Sequence, residues 1–259
     1  MHPWHILQHS WRQVFGNFGS ATQIVFPPFV LGALCNLSFQ EGLRRAAHVG
    51  HSVAVPPSSA LLYFLLFVIA QFVLATASVN WHRFILCNES CGWLPRINLR
   101  RSLRYFLRAF IIVAMLTLVG ILLGVVVIVL LMLFEKIIGS DTAGLIAGGV
   151  STVIILVWMV ALFLRFSVAL PGAALDTLGL RAALRATRGQ GWLFVTLSVI
   201  AVLVVFLGAI FNPLVALLPG VAWDVGFVAQ LGVDFVVTML GLSLLTTLYG
   251  VFVENRKLV

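Results

Sequence analysis

The stretch LRRSLRYFLRAFIIVAMLTLVGILLGVVVIVLLMLF, Leu99 to Phe134, decides what kind of molecule this is. Its second part, Ala109–Phe134, holds no charged residue and is longer than the roughly 20 apolar residues that a helix needs to cross a bilayer. Its first part places Arg100, Arg104 and Arg108 at i, i+4, i+8, while Leu99, Leu103, Phe106 and Phe110 share another face. Asn98, just ahead, is a good N-cap. The stretch reads as a basic amphipathic helix lying at a membrane interface and running into a spanning helix.

Four more runs are long and apolar enough to span: Ala60–Ser78, Ala143–Leu164, Trp192–Leu218 and Phe235–Phe252. A sixth, Ala21–Phe39, is interrupted by Gln23, Pro27-Pro28 and Asn36. It is counted as a span because neighbouring helices in a bundle re-satisfy the carbonyls that proline frees. The composition agrees. The chain is 61% hydrophobic and only 9% charged, against about one quarter charged in soluble domains. A soluble globule of 259 residues needs a polar skin that this chain does not have. The expected fold is an all-α integral membrane bundle of six spans.

With six spans and the N-terminus inside, the cytoplasmic segments hold Arg12, Arg83, Arg96, Arg100, Arg101, Arg104, Arg108, Arg165, Arg181, Arg185, Arg188, Arg256 and Lys257. The other side holds Arg44, Arg45 and Lys136, so 13 of the 16 basic residues fall inside and 3 outside. That asymmetry places both termini in the cytoplasm. The net charge of +8 therefore reads as an anionic-lipid-facing surface and not as a nucleic-acid site. The start, Met1-His2-Pro3-Trp4, lacks the pattern of a cleavable signal. Between the spans no segment is long enough for a separate extramembrane domain.

The amphipathic design occurs three times. Trp4, Leu7, Trp11, Val14 and Phe18 make an apolar stripe opposite His5, His9 and Arg12. Arg181, Arg185 and Arg188 make another basic stripe, ended by Gly189-Gln190-Gly191 and followed by Trp192 at headgroup level. Arg12, Arg104 and Arg185 precede spans one, three and five. The expected layout is a single membrane domain over residues 1–259, built from three repeats, 1–80, 81–165 and 166–259, each an interfacial helix followed by a helical hairpin on the cytoplasmic side.

Chemistry-bearing patterns are sparse. Trp81, His82, Arg83 and Arg165 close spans two and four on the inner side; they suit a phosphate headgroup, and equally the ordinary aromatic and arginine markers of a membrane boundary. Together with Arg12, Arg100, Arg104, Arg108, Arg181, Arg185 and Arg188 they form the expected lipid- or partner-binding set. Gln71, Asn212 and Asp234 are the polar residues inside or beside spans that could line a path. Asn212-Pro213 is expected to kink span five. His82, Cys87 and Cys91 lack a fourth ligand for a metal. His2, His5 and His9, and His48 and His51, read as interfacial or loop histidines. Gly120-x3-Gly124 and Gly144-x3-Gly148 suit close helix approach, within the chain or in a homo-oligomer. The eight acidic residues are scattered. No catalytic motif, metal site or cofactor site is expected.

The segments VNWHRFIL (79–86), LRFSVALP (164–171) and LRAALRATRG (180–189) carry a resemblance. They look like uncharacterised six-span bacterial inner-membrane proteins, especially proteobacterial ones. The layout is also similar to the membrane domain attached to some glycerophosphodiester phosphodiesterases. The phosphodiesterase catalytic domain has no counterpart here, so that activity is not implied. The expected function is a non-enzymatic inner-membrane protein, a lipid-associated scaffold or accessory subunit of a membrane complex. The alternative is a transporter or channel for a small neutral or lipidic substrate.

Overall fold

The computed structural model describes residues 2–48, 57–89, 97–138, 141–216 and 223–257. Among these residues all regular structure is helical, in nine segments: α1 (Pro3–Gly16), α2 (Phe18–His48), α3 (Pro57–Cys87), α4 (Leu99–Ile138), α5 (Asp141–Ser167), α6 (Ala169–Ala174), α7 (Leu180–Ala186), α8 (Gly191–Ala216) and α9 (Trp223–Phe252). Six of them, α2, α3, α4, α5 with α6, α8 and α9, are long and apolar enough to cross a membrane. In hydrocarbon a helix keeps every backbone hydrogen bond within its own segment, which is why apolar runs of this length fold this way. The molecule is an all-α, multi-pass membrane protein.

The first span is the one whose sequence argues against itself, and it forms. α2 continues unbroken through Pro27 and Pro28. Its buried face, Ala21, Ile24, Val25 and Phe29, packs on α3 and α9, and Phe235 of α9 stacks edge-on against Phe26 and Phe29. Burial of this face against α3 and α9 offsets the cost of the two backbone bonds that the prolines cannot make.

The segment before span three differs from expectation. Asn98 does cap the helix, its Oδ1 accepting from the Arg101 amide at 3.2 Å. From Leu99 onward, however, the chain runs as one continuous 40-residue helix with no joint between an interfacial and a spanning part. At 1.5 Å per residue α4 is about 60 Å long, twice the roughly 30 Å of a hydrocarbon core. No proline and no cluster of turn-forming residues interrupts the chain from Leu99 to Ile138, so nothing in the sequence stops the amphipathic turn from fusing with the span. The element around Arg181 also differs. α7 ends at Ala186, and Gly189 (φ +82°) turns the chain into α8.

Two cores hold the bundle. The larger joins α4 to α9 with Ile6 of α1 and with Ala75 and Val79 of α3, and it contains the fully buried α6. The smaller joins α2, α3 and α9 with Val14 of α1. α1 lies along α9 through Ile6, Ser10 and Val14, an i, i+4, i+8 stripe. The apolar stripe read from the sequence is therefore split. Val14 faces the protein, and Trp4, Trp11, Phe15 and Phe18 form an exposed aromatic row on the other side. Beyond Leu116, α4 buries almost nothing and presents Ile121, Leu122, Val125, Ile128 and Leu133 outward. Among the described residues, the buried positions of α4, α5 and α8 concentrate toward the arginine-rich, basic end of the molecule.

Candidate functional site

Four helices leave off at the basic end through a left-handed residue: Asn88 after α3, Asp176 after α6, Gly189 after α7 and Asn255 after α9. Such a residue turns the chain out of the helix, and asparagine and aspartate tolerate the conformation because their short side chains bond locally. At Asp176 the Thr177 amide reaches back to the Gly172 carbonyl at 2.9 Å, the long bond of a Schellman turn. The turn is tight. A Cβ on Gly172 would lie 2.5 Å from that of Leu178.

Arginines hold this turn in place. Arg101 and Arg104 both pair with Asp176, Arg101 at 3.0 Å. Arg108 donates to the Leu178 carbonyl and to that of Ala169 at 3.3 Å. Arg83 donates to the Ala174 carbonyl at 3.4 Å and pairs with Glu89, Nε to Oε2 2.8 Å. Tyr249 closes the ring from α9, its hydroxyl 2.7 Å from that of Thr177. Arg256 caps the end of α3 at the Leu86 carbonyl, 2.9 Å. These cations complement helix C-termini, whose last carbonyls lack partners and carry negative partial charge.

The arginines of the expected lipid-binding set therefore fall into three groups. Arg83, Arg104 and Arg108 are engaged by the protein itself. Arg165 is half-buried, and its Nε makes no hydrogen bond among the described residues. Arg12, Arg100, Arg181, Arg185 and Arg188 are exposed and make no ion pair among the described residues. The stripe read from the sequence over Arg100, Arg104 and Arg108 thus has one free end and two engaged members.

Trp81 and His82 are a clearer departure. Both are fully buried, so as placed neither touches a headgroup. Trp81 Nε1 donates to Ser243 Oγ at 3.2 Å. His82 Nδ1 lies 2.8 Å from Thr246 Oγ1 and Nε2 lies 3.3 Å from the Tyr105 hydroxyl. Thr246 spends its proton on the Leu242 carbonyl at 2.8 Å, so it accepts from Nδ1–H. Nε2 is then the acceptor, and Tyr105 donates to it. A boundary histidine in the sequence is thus the pin between α3, α4 and α9. With both nitrogens used, it is not placed to hold a metal. Cys91 and His51, named with the other weak metal patterns, lie outside the described residues. Ser10 of α1 adds a further polar link, donating at 3.1 Å to Thr247 of α9.

Three clefts bear on the polar residues named from the sequence. The first, of about 400 Å³, lies at the basic end between α1 and the ends of α3 and α9, with His9, Gln13, Asn17, Thr247 and Lys257 on its walls. The second, of about 390 Å³, holds Asn36, Gln230 and Asp234 between α2 and α9. There Gln230 donates to Asp234 at 2.8 Å. The third, of about 300 Å³, lies between α3 and α4 and contains Gln71, Ser78 and Tyr105 among aromatic and aliphatic walls. Gln71 and Asp234 thus face separate clefts, with Leu74 common to both. Asn212 lies within α8, and its side chain is outside the described residues.

No protein-family model matches the chain, and no curated protein or solved structure is significantly similar to it. The functional reading therefore rests on this geometry.

The polar pins were the part hidden from sequence reading. His82, Thr246 and Thr247 stand inside apolar helices at spacings with no motif. Their one signal is chemical: a polar group within a span must find a partner, and the partner lies on another helix.

Proposed function

We propose that the chain is a non-enzymatic multi-pass protein of the bacterial inner membrane that gathers anionic lipid headgroups on its basic end, and serves there as a scaffold or accessory subunit for a membrane complex. The observation that supports this most is the division among the arginines. Arg12, Arg100, Arg181, Arg185 and Arg188 stay exposed beside neighbours that the fold consumes. An arginine near an anionic leaflet contributes about 1 kcal/mol of attraction, and the guanidinium fork suits phosphate. The positive-inside rule then faces this end to the cytoplasm, with both termini there. In that setting α1, the first turns of α4 and α7 lie at the interface, the row of Trp4, Trp11, Phe15 and Phe18 resting among headgroups. One such element heads each of the three repeats.

The test is lipid retention. The chain is assembled in nanodiscs of mixed phosphatidylcholine and phosphatidylglycerol, released, and weighed by native mass spectrometry. Arg181→Gln, Arg185→Gln and Arg188→Gln together should cut retained phosphatidylglycerol by up to about 100-fold, on about 1 kcal/mol per arginine. Retention equal to that of the parent sinks the proposal.

A second reading, a path for a small neutral or lipidic solute, is favoured by the cleft that holds Gln71 within a span.

A further inference from the structure

We propose that the cleft between α3 and α4 is a binding site for a membrane-dissolved amphiphile with an uncharged hydrogen-bonding group, which Gln71 holds. The proposal deepens the second reading by naming its ligand class, and it is independent of the arginine reading.

Gln71 stands ten residues inside the span Leu61–Cys87 and sixteen from its end. At 1.5 Å per residue it is about 15 Å and 24 Å from the two ends, well within the hydrocarbon. Its carboxamide makes no hydrogen bond among the described residues. A polar group left unpaired at that depth costs several kcal/mol, so the position calls for a partner that the described part of the fold does not supply.

The surroundings say which partner fits. The walls near Gln71 are Phe67, Leu74, Phe106 and Phe110. Of these Phe110, with Val113 beside it, is more than half exposed, so the mouth opens sideways to lipid and not to water. No charged side chain lines the cleft. A carboxylate or phosphate there would lose its hydration without gaining a counter-ion. An amide has two donors and an acceptor, and it serves a hydroxyl, a carbonyl or another amide equally well. The two other polar groups are already engaged: Ser78 donates to the Leu74 carbonyl at 2.8 Å, and Tyr105 is bound to His82. One neutral polar contact in an apolar, aromatic slot of about 300 Å³ describes the head and upper chain of an uncharged amphiphile.

The experiment uses the full chain in phosphatidylcholine nanodiscs. Three diazirine probes of equal chain length are compared: a long-chain primary alcohol, the matching carboxylate and the matching alkane. Cross-links are mapped by peptide mass spectrometry. The alcohol should label the Phe67–Ser78 and Tyr105–Val113 segments about five-fold more than the alkane does, the scale of one net hydrogen bond. The carboxylate should label them least. Gln71→Leu should bring the alcohol down to the alkane level. Val113→Trp plugs the mouth from the lipid side and leaves both cores untouched; it should suppress all three probes, and it carries the test should Gln71→Leu fail to fold. Equal labelling by alcohol and alkane, or labelling spread evenly along α4, α5 and α8, overturns the proposal. A liposome flux assay with the alcohol separates site from path. Specific labelling without movement across the bilayer keeps the site and ends the second reading.

Discussion

His82 is where a single side chain does the most. Its ring is buried and joins α4 to α9 through two hydroxyls. His82→Phe keeps the volume and removes both bonds, leaving Thr246 and Tyr105 facing an apolar ring. The expected cost is about 1–3 kcal/mol, from the polar groups left behind. Tyr105→Phe alone should cost less, and the double variant less than the sum of the two. Deleting both partners of a buried hydrogen bond leaves no orphan. Thermal unfolding in one detergent, followed by intrinsic fluorescence, measures all three. Strict additivity would mean that the 3.3 Å contact contributes nothing. At this scale the sequence was least legible. Arg100 and Arg104 are one turn apart on one stripe, yet one is exposed and the other bound to Asp176, 72 positions away. Periodicity shows which face a residue occupies on its own helix. It does not show which helix lies opposite.

At the scale of the element, the α6–α7 turn is the joint of the basic end. Six bonds from four arginines and one tyrosine converge on residues 169–178. The partly exposed ion pairs among them contribute little each, about 0–1 kcal/mol. The backbone turn is the rigid part, and Gly172 is its closest approach. Gly172→Ala would drive a methyl into Leu178 Cβ and its backbone, at 2.5 and 3.2 Å. It should destabilise by about 1–3 kcal/mol through overpacking, read as a loss of thermal stability. Lipid retention per folded molecule should not change, because Arg181, Arg185 and Arg188 lie beyond the turn. Gly189 was readable as a breaker because glycine announces itself. Asn88, Asp176 and Asn255 do the same work and look like ordinary polar residues in a basic segment. At least one end of every span was legible to within about three residues because lipid imposes the change from polar to apolar sequence there, while the other end of five of them differed by up to ten residues. The fusion of the amphipathic segment into α4 was not, since amphipathic and apolar helices propagate by the same backbone bonds.

For the whole molecule, the number of crossings and the gathering of positive charge were both readable from composition and charge placement. α2 is the element on which parity turns, and it is long and apolar enough to span despite its two prolines. The polar residues proposed as a path do not gather into one passage, because Gln71 and Asp234 belong to different clefts on either side of Leu74. The central claim is that alternating crossings bring the three basic elements to one face of the membrane, and that this face is the cytoplasmic one. It is tested most directly by sided labelling. Arg12→Cys, Arg100→Cys and Arg185→Cys are made singly in a chain whose Cys35, Cys87 and Cys91 are replaced by serine. A membrane-impermeant maleimide is then applied to right-side-out and inverted inner-membrane vesicles. All three should react in inverted vesicles and stay protected in right-side-out ones; labelling of any one from the opposite side to the other two, or of all three from outside, contradicts the account.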